Sequence, residues 1–389
     1  MGKLIVRIAS LLLIAAFLPT AVLAAEWNLE NGSIEITAAA NAEGGTTQTV
    51  SQGGSSAEDS NPTITSNGNQ TGNTITIKAG GGTTANVTIK DTNISTGNAA
   101  IKTEGKGNVN LNVEGINTVS SGDKHAGVEK ANDGNLTIGS ENGEGKLTAN
   151  GGEYGAGIGG GDAQSGNDIT ITGGEIIANG GGYGAGIGGG WYGNGSDITI
   201  SGGEVTANGG EAGAGIGGGY LHSGNDITIS GGEVNATGGT TGAGIGGGFN
   251  GDASDIAISK DSQVEAKGGA ANGISDWGAS IGCGGNYDGT PGEEFLPDTS
   301  GLYTTGKVER KRGDGTVLDI IVGTVEPPKS ASSEEPDKRE PLYRVLNLDG
   351  STLKHQAQKA DGVLALTAKA DGAILTGRLR ALGYLQNQG

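Results

Sequence analysis

Aromatic side chains recur at a fixed spacing near the middle of the chain and are the first candidates for a binding surface. Two sets have members 29 residues apart: Trp191, Tyr220 and Phe249 form one, Tyr154 and Tyr183 form the other, and Tyr192 follows Trp191. Aromatic rings pack against one another and against other apolar faces. The spacing therefore allows two interpretations, in which the rings either seal a corner of the fold or form an outward strip that binds sugar rings.

Carboxylates recur with the same period and could supply a second kind of chemistry. The positions are Asp168, Asp197, Asp226 and Asp255. Ca²⁺ is bound by aspartate and backbone oxygens, whereas aspartate is also a common turn residue. These four residues are therefore candidate calcium ligands or, alternatively, turn residues that bind nothing.

A sequence repeat positions both sets of side chains. The motif Gly-Ala-Gly-Ile-Gly-Gly-Gly occupies 155–161, 184–190, 213–219 and 242–248. A fixed period of this size is typical of stacked repeat architectures. Shorter alternations of Ile, Val and Leu between Pro62 and Asn150 predict earlier and more degenerate coils of the same stack.

One repeat unit, 168–196, contains three strand-like segments separated by glycines. They are Ile169–Thr172, Glu175–Ala178 and Ala185–Ile187. Three strands and three turns per repeat predict an all-β, right-handed parallel β-helix with 29-residue coils. Four side chains are expected to point inward and stack on the next coil: Ile169, Ile171, Ile176 and Ile187.

The composition changes along the chain and predicts six regions. They are a signal peptide (1–24), an N-terminal lead-in and cap (25–61), the β-helix (62–290), a β-hairpin region (291–325), a linker (326–341) and a small α+β unit (342–389). Within the lead-in, 33–37 alternates like a strand and 42–59 is predicted to be a loop. Within the hairpin region, 303–308 and 316–322 are predicted strands around a turn at 311–315.

The C-terminal unit is predicted to contain two strands and one helix. The strands are Tyr343–Leu348 and Val363–Ala368, and the helix has Asp371 as its N-cap. The apolar face of that helix is Ile374, Leu375, Leu379, Leu382 and Leu385. Such a unit buries little apolar surface, so we expect it to lack a last strand and the tail to be incomplete.

Charge and targeting signals limit the partners. A basic start with Lys3 and Arg7, an apolar run at 11–18 and a small-residue site ending at Ala24 predict a cleaved secretory signal and an extracellular or cell-surface protein. No second long apolar run occurs, so membrane insertion is not expected. The net charge of −19 argues against nucleic acid as a partner, and a single cysteine excludes an internal disulfide.

The residue types do not favour catalysis. No arginine occurs between Arg7 and Arg310, and the three histidines lie far apart in sequence. The aspartates are repeat elements rather than a unique pair of the kind that glycoside hydrolysis uses. We therefore expect no catalytic residues, with a polysaccharide lyase or hydrolase as the less favoured alternative.

The Ile-Thr-Ile-x-Gly-Gly phrases and the glycine motif over 62–285 resemble bacterial exported parallel β-helix proteins that contain carbohydrate-binding domains, of the polygalacturonate-binding type. The tail 363–389 resembles small C-terminal units of similar surface proteins. The resemblance implies a right-handed β-helix, a surface location with possible attachment to the cell envelope, calcium, and binding of an acidic plant polysaccharide. It assigns no individual binding residue.

The leading hypothesis is a secreted or surface-displayed, non-catalytic β-helix that binds plant or host polysaccharide with calcium. The alternative is a structural or adhesive stalk that binds protein partners.

Overall fold

The computed structural model describes residues 26–270 and 277–328, together with the backbone of three strands between 355 and 380. The chain divides into two units, one that ends at Pro327 and one that begins at Pro328. The predicted signal peptide and the predicted strand 343–348 lie outside the described residues. No helix in the described part of the chain is long and apolar enough to cross a membrane.

The first unit is a parallel β-helix made of three sheets. Each coil contributes one strand to the first sheet, then one to the third and one to the second, as 169–171, 175–179 and 187–188 illustrate. Parallel pairing joins each strand to its counterpart one repeat later. The prediction of a parallel β-helix is confirmed, whereas the right-handed coil remains a prediction.

The first sheet has nine strands in chain order. They are Glu26–Asn28, Thr63–Thr65, Thr84–Lys90, Asn108–Glu114, Leu136–Gly139, Ile169–Ile171, Gly195–Ile200, Gly224–Ile229 and Ala253–Ile258. One short 3-10 helix, Leu29–Asn31, follows the first of these strands.

The second sheet has eleven strands, and eight of the nine parallel ones follow the chain order from its N-terminal side. In spatial order the strands are Ser55–Glu58, Thr46–Gln52, Ile34–Ala40, Ile75–Ala79, Ile101–Gly105, Val128–Asn132, Ile158–Gly159, Ile187–Gly188, Ile216–Gly217, Ile245–Gly246 and Ile281–Gly282. From Ile158 onward its strands are only two residues long.

The third sheet has ten strands. They are Gln70–Thr71, Asn93–Ser95, Ile116–Ser120, Lys146–Asn150, Glu175–Asn179, Glu204–Asn208, Glu233–Thr237, Gln263–Lys267, Lys307–Lys311 and Val317–Val322. Its last two strands form the predicted hairpin, although the first of them begins at Lys307 rather than at Tyr303.

Apolar side chains from all three sheets fill the interior. The four residues predicted to point inward, Ile169, Ile171, Ile176 and Ile187, are all fully buried. Each pairs in register with an apolar residue one coil later, such as Ile176 with Val205. Because one coil alone could not cover this face, stacking supplies the core, as expected for a repeat protein.

The two ends of the stack differ from the prediction. The segment 42–59 is not a loop, because Thr46–Gln52 and Ser55–Glu58 add antiparallel strands to Ile34–Ala40. Parallel pairing also extends beyond 62–290, to Glu26 at one end and Lys311 at the other. The threonine- and serine-rich composition concealed the strands, which cover what would otherwise be an open sheet edge.

The second unit contains a three-stranded antiparallel sheet, and the predicted helix is wrong. Its strands are His355–Ala360, Val363–Ala370 and Ala373–Arg380. Ala370 pairs with Ala373, so the intervening sequence is the dipeptide Asp371-Gly372. Asp-Gly favours a two-residue hairpin loop, which is why an aspartate assigned as a helix cap instead separates two paired strands.

Candidate functional site

Two corners of each coil flank the two-residue strands of the second sheet, and the predicted aromatic residues lie at these corners. Tyr154 and Tyr183 precede such a strand, whereas Trp191, Tyr220 and Phe249 follow one. Tyr192 adjoins Trp191, where a positive φ of 53° turns the chain toward the first sheet.

Backbone hydrogen bonds bring the two corners together across neighbouring coils. The amide of Trp191 donates to the carbonyl of Tyr154 at 2.7 Å, and the amide of Tyr220 donates to the carbonyl of Tyr183 at 3.0 Å. Phe249 makes the same bond, at 2.8 Å, to Ala212. The corner after the short strand therefore lies beside the corner before it in the preceding coil.

The rings form one continuous cluster as a result. Tyr154 stacks on Tyr183 with 5.6 Å between centroids, and Tyr220 stacks on Phe249 at 5.7 Å. Trp191 lies 5.2 Å from Tyr154. Tyr192 is 5.7 Å from Tyr220, in an edge-to-face arrangement. Such offset and tilted geometries are those that aromatic pairs prefer.

A seventh ring, which sequence reasoning missed, extends the cluster. Tyr287 lies 4.7 Å from Phe249, and its hydroxyl is 2.6 Å from that of Tyr220. This hydroxyl contact raises the pKa of Tyr220 to about 12. Tyr287 lies 38 residues after Phe249 rather than 29, so the repeat spacing gave no signal for it.

We call these seven residues the aromatic strip: Tyr154, Tyr183, Trp191, Tyr192, Tyr220, Phe249 and Tyr287. None of the seven is buried in the core, and Tyr192 and Tyr287 are 40% and 63% exposed. The rings therefore pack against one another on the outer surface of the β-helix.

An ion pair occupies the same two corner positions one coil before the strip. The amide of Asp162 donates to the carbonyl of Lys124 at 2.8 Å, as that of Trp191 does to Tyr154. The Lys124 ammonium lies 3.4 Å from the Asp162 carboxylate. Sequence alignment had placed Asp162 in this position, but only the structure identifies Lys124 as its partner. The strip therefore begins beside a charged pair.

The four predicted calcium ligands share an unusual backbone conformation. Asp168, Asp197, Asp226 and Asp255 have φ between 52° and 54°, and all four are exposed. Aspartate adopts this left-handed conformation more readily than most residues do. The described part of the chain contains no group of three His, Cys, Asp or Glu side chains that could hold a metal ion. The aspartate positions therefore fit a backbone role and do not form a calcium site.

Substitution at Asp197 should separate these two roles. We expect Asp197→Asn to unfold at the same urea concentration as the wild type, because asparagine also adopts the left-handed region. Asp197→Val should lose about 1–2 kcal/mol, since a β-branched side chain is strained at φ 54°. Urea unfolding with and without added calcium is the measurement. A calcium-dependent stability that Asp197→Asn removes would contradict the backbone role.

Comparison with known proteins supports the repeat architecture. Residues 142–162, 169–191, 198–220 and 227–249 match the family model described as beta helix repeat. The matched segments end at Asp162, Trp191, Tyr220 and Phe249, which are the equivalent positions of successive coils. No curated protein matches the chain. No solved structure matches it either.

Proposed function

We propose that this chain is a secreted or surface-displayed, non-catalytic protein that binds polysaccharide along the aromatic strip. The observation that carries the proposal is the cluster of seven adjacent rings on the outer surface, repeated with the coils. Contiguous exposed apolar surface on a protein commonly marks a site of interaction. Tyrosine and tryptophan rings present an apolar face together with a polar group, which suits a ligand made of sugar rings.

The shape of the strip favours an extended ligand over a compact one. Strands of neighbouring coils are separated by about 4.8 Å. Ring contacts of 5.6 Å from Tyr154 to Tyr183 and 5.7 Å from Tyr220 to Phe249 follow the same axis. A polymer of similar units could therefore contact one ring after another along the stack.

The charges near the strip favour an uncharged polymer. Glu153 and Glu211 are exposed and adjoin strip positions, whereas the cation Lys124 is paired with Asp162. Between Asn150 and Asp288 the chain has 15 acidic residues and two basic ones, Lys260 and Lys267. Like charges within a Debye length of about 8 Å repel. An acidic polysaccharide would need bridging cations, so binding with and without a chelator tests the calcium expectation.

Replacement of Trp191 by alanine tests the proposal. Trp191 contacts Tyr154, Tyr183 and Tyr192, so its loss should divide the strip and weaken polymer binding at least about tenfold. The measurement is retention on immobilised pectic, neutral plant and host glycans, followed by titration with the retained polymer. Trp191→Phe should keep most of the affinity because it keeps a ring.

The matched control is Ile116→Ala, which removes an exposed apolar side chain, 67% accessible, outside the strip. It should bind the polymer as the wild type does. Binding of no glycan by the wild type, or equal binding by Trp191→Ala, would overturn the proposal. Prolonged incubation that releases reducing ends or unsaturated products would overturn its non-catalytic part. N-terminal sequencing of protein recovered from the culture medium tests secretion and cleavage after Ala24.

A structural or adhesive stalk is the second candidate, and the mutual packing of the rings favours it. Tyr154, Tyr183 and Trp191 are only partly exposed, so their contacts also stabilise the corners. A stalk predicts that Trp191→Ala lowers the unfolding temperature and leaves glycan retention unchanged or absent. A stable variant with reduced glycan retention favours the binding role.

A further inference from the structure

A polar cavity lies where the second sheet changes the length of its strands. The strand Val128–Asn132 has five residues, but its successor Ile158–Gly159 has two. Parallel pairing between them therefore ends at Glu129 and Gly159. A cavity of about 440 Å³ opens beside the unpaired residues, lined by Lys130, Asp133, Gln164, Ser165, Asn167 and Asp168 among others.

Lys130 is an inward-pointing lysine with few partners. It pairs in register with Thr103, which is fully buried, and is itself only 6% exposed. Its ammonium donates to the carbonyl of Asn132 at 2.6 Å, which is its one hydrogen bond to the described residues. Burial lowers the pKa of Lys130, while the Asp168 and Asp133 carboxylates act in the opposite direction. An ammonium has three donors, so two N–H groups have no partner among the described residues.

The other lining groups offer both donors and acceptors. The hydroxyl of Ser165 and the carbonyl of Asn167 accept backbone N–H bonds, which leaves the Asn167 amide nitrogen available as a donor. The carboxylates of Asp133 and Asp168 make no ion pair with a described residue. A hydroxyl group can donate and accept at once, so it can satisfy both kinds of group. An anion would face two carboxylates, and a cation would face the ammonium.

The wall of the cavity is continuous with the aromatic strip. The amide of Ala163 donates to the carbonyl of Trp191 at 2.8 Å, and that of Gly190 donates to the carbonyl of Gln164 at 3.1 Å. Residues 163–165 therefore lie directly against the corner that carries Trp191 and Tyr192. A ligand on the strip could extend one unit into the cavity without leaving the protein surface.

We propose that this cavity binds a single uncharged sugar residue, as the end or a branch of the polymer that lies on the strip. The inference rests on the proposed function for the polymer, but the cavity can be tested separately with free monosaccharides. Hydroxyls of the sugar would accept from the Lys130 ammonium and the Asn167 amide and donate to Asp133 and Asp168. The aromatic strip then supplies affinity along the chain, and the cavity fixes its end.

The experiment is titration of the protein with glucose, galactose and N-acetylglucosamine by NMR, with acetate and sulfate as anion probes. We expect at least one sugar to bind, and Lys130→Met and Gln164→Ala to weaken it at least about tenfold. Lys130→Met retains the length of the side chain, and Gln164 is exposed, so at least one variant should fold. Lys78→Met, at an exposed lysine, is the control.

The outcomes separate the two proposals. Trp191→Ala should lose polymer binding and keep monosaccharide binding. Absence of monosaccharide binding, insensitivity to both cavity variants, or a preference for acetate or sulfate would overturn the cavity assignment and leave the strip intact. Monosaccharide binding that requires Lys130, with no polymer retained, would support the cavity and overturn the proposed function of the strip.

Discussion

Replacement of Gly181 by alanine is expected to lower the free energy of unfolding by about 3 kcal/mol, the upper end of the usual cost of overpacking. A Cβ at this position would lie 1.7 Å from the carbonyl oxygen of Gly152 in the preceding coil. The equivalent glycines, Gly210 and Gly239, would each place a Cβ 1.5 Å from a carbonyl oxygen. The obstacle is backbone rather than a flexible side chain, so relief requires the coils to separate. Urea unfolding followed by circular dichroism is the measurement.

Gly182→Ala is the matched control, one residue away in the same corner. A Cβ there would be 3.7 Å from its nearest neighbour, an ordinary contact distance. The equivalent positions one coil before and one coil after already hold Glu153 and Glu211. We expect this variant to unfold within about 0.5 kcal/mol of the wild type. Equal stability of the two variants would show that the coils can separate at this corner without a large cost.

Arg310→Met should destabilise the C-terminal end of the β-helix by about 2 kcal/mol. The buried guanidinium donates to the carboxylates of Asp319, at 3.0 Å, and Glu294, and its Nε donates to Ser280 at 3.2 Å. Loss of one partner from a buried ion pair typically costs about 3–5 kcal/mol. The lower value is expected because the Glu294 and Asp319 side chains are 31% and 39% exposed, so water can partly solvate them.

Arg310 joins the last strands of two sheets, so the effect should be local. Hydrogen exchange should accelerate in Ile281–Gly282, Lys307–Lys311 and Val317–Val322 and remain slow in the central coils. The control is Lys78→Met, which removes an ion pair with Glu35 whose side chains are 41% and 47% exposed. That change should cost less than about 1 kcal/mol. Uniform acceleration of exchange along the whole stack would contradict a local role for Arg310.

The ends of the fold and the C-terminal unit depended on signals that composition obscured. Thr46–Gln52 has only one aliphatic side chain, Val50, and was predicted to lie in a loop although it pairs along its whole length. Ala373–Arg380 carries leucines at spacings compatible with a helix, yet it pairs with Val363–Ala370. In the first case the neighbouring strand decided the structure. In the second, the Asp-Gly dipeptide was the signal that should have prevailed.

The candidate site was only partly predictable because its parts are distant in sequence. The 29-residue period placed Trp191, Tyr220 and Phe249 in equivalent positions. It did not show that Trp191 lies beside Tyr154, 37 residues earlier, because that contact depends on how far the chain advances in one coil. Tyr287 and Lys130 occur where the repeat is irregular, so no periodic pattern marked them.

The sequence by itself determined the repeating coil, its inward isoleucines and its glycine corners. Near-identical segments adopt the same local structure, and in-register stacking of their apolar faces then buries a continuous core. Only the tertiary structure decided which corners meet, that the rings lie on the outer surface, and that Asp197 and its equivalents serve a left-handed backbone. Residue type and spacing are the same for a turn aspartate and a calcium ligand. The distinction depends on backbone angles and on which side chains converge, and both are fixed only when the coils stack.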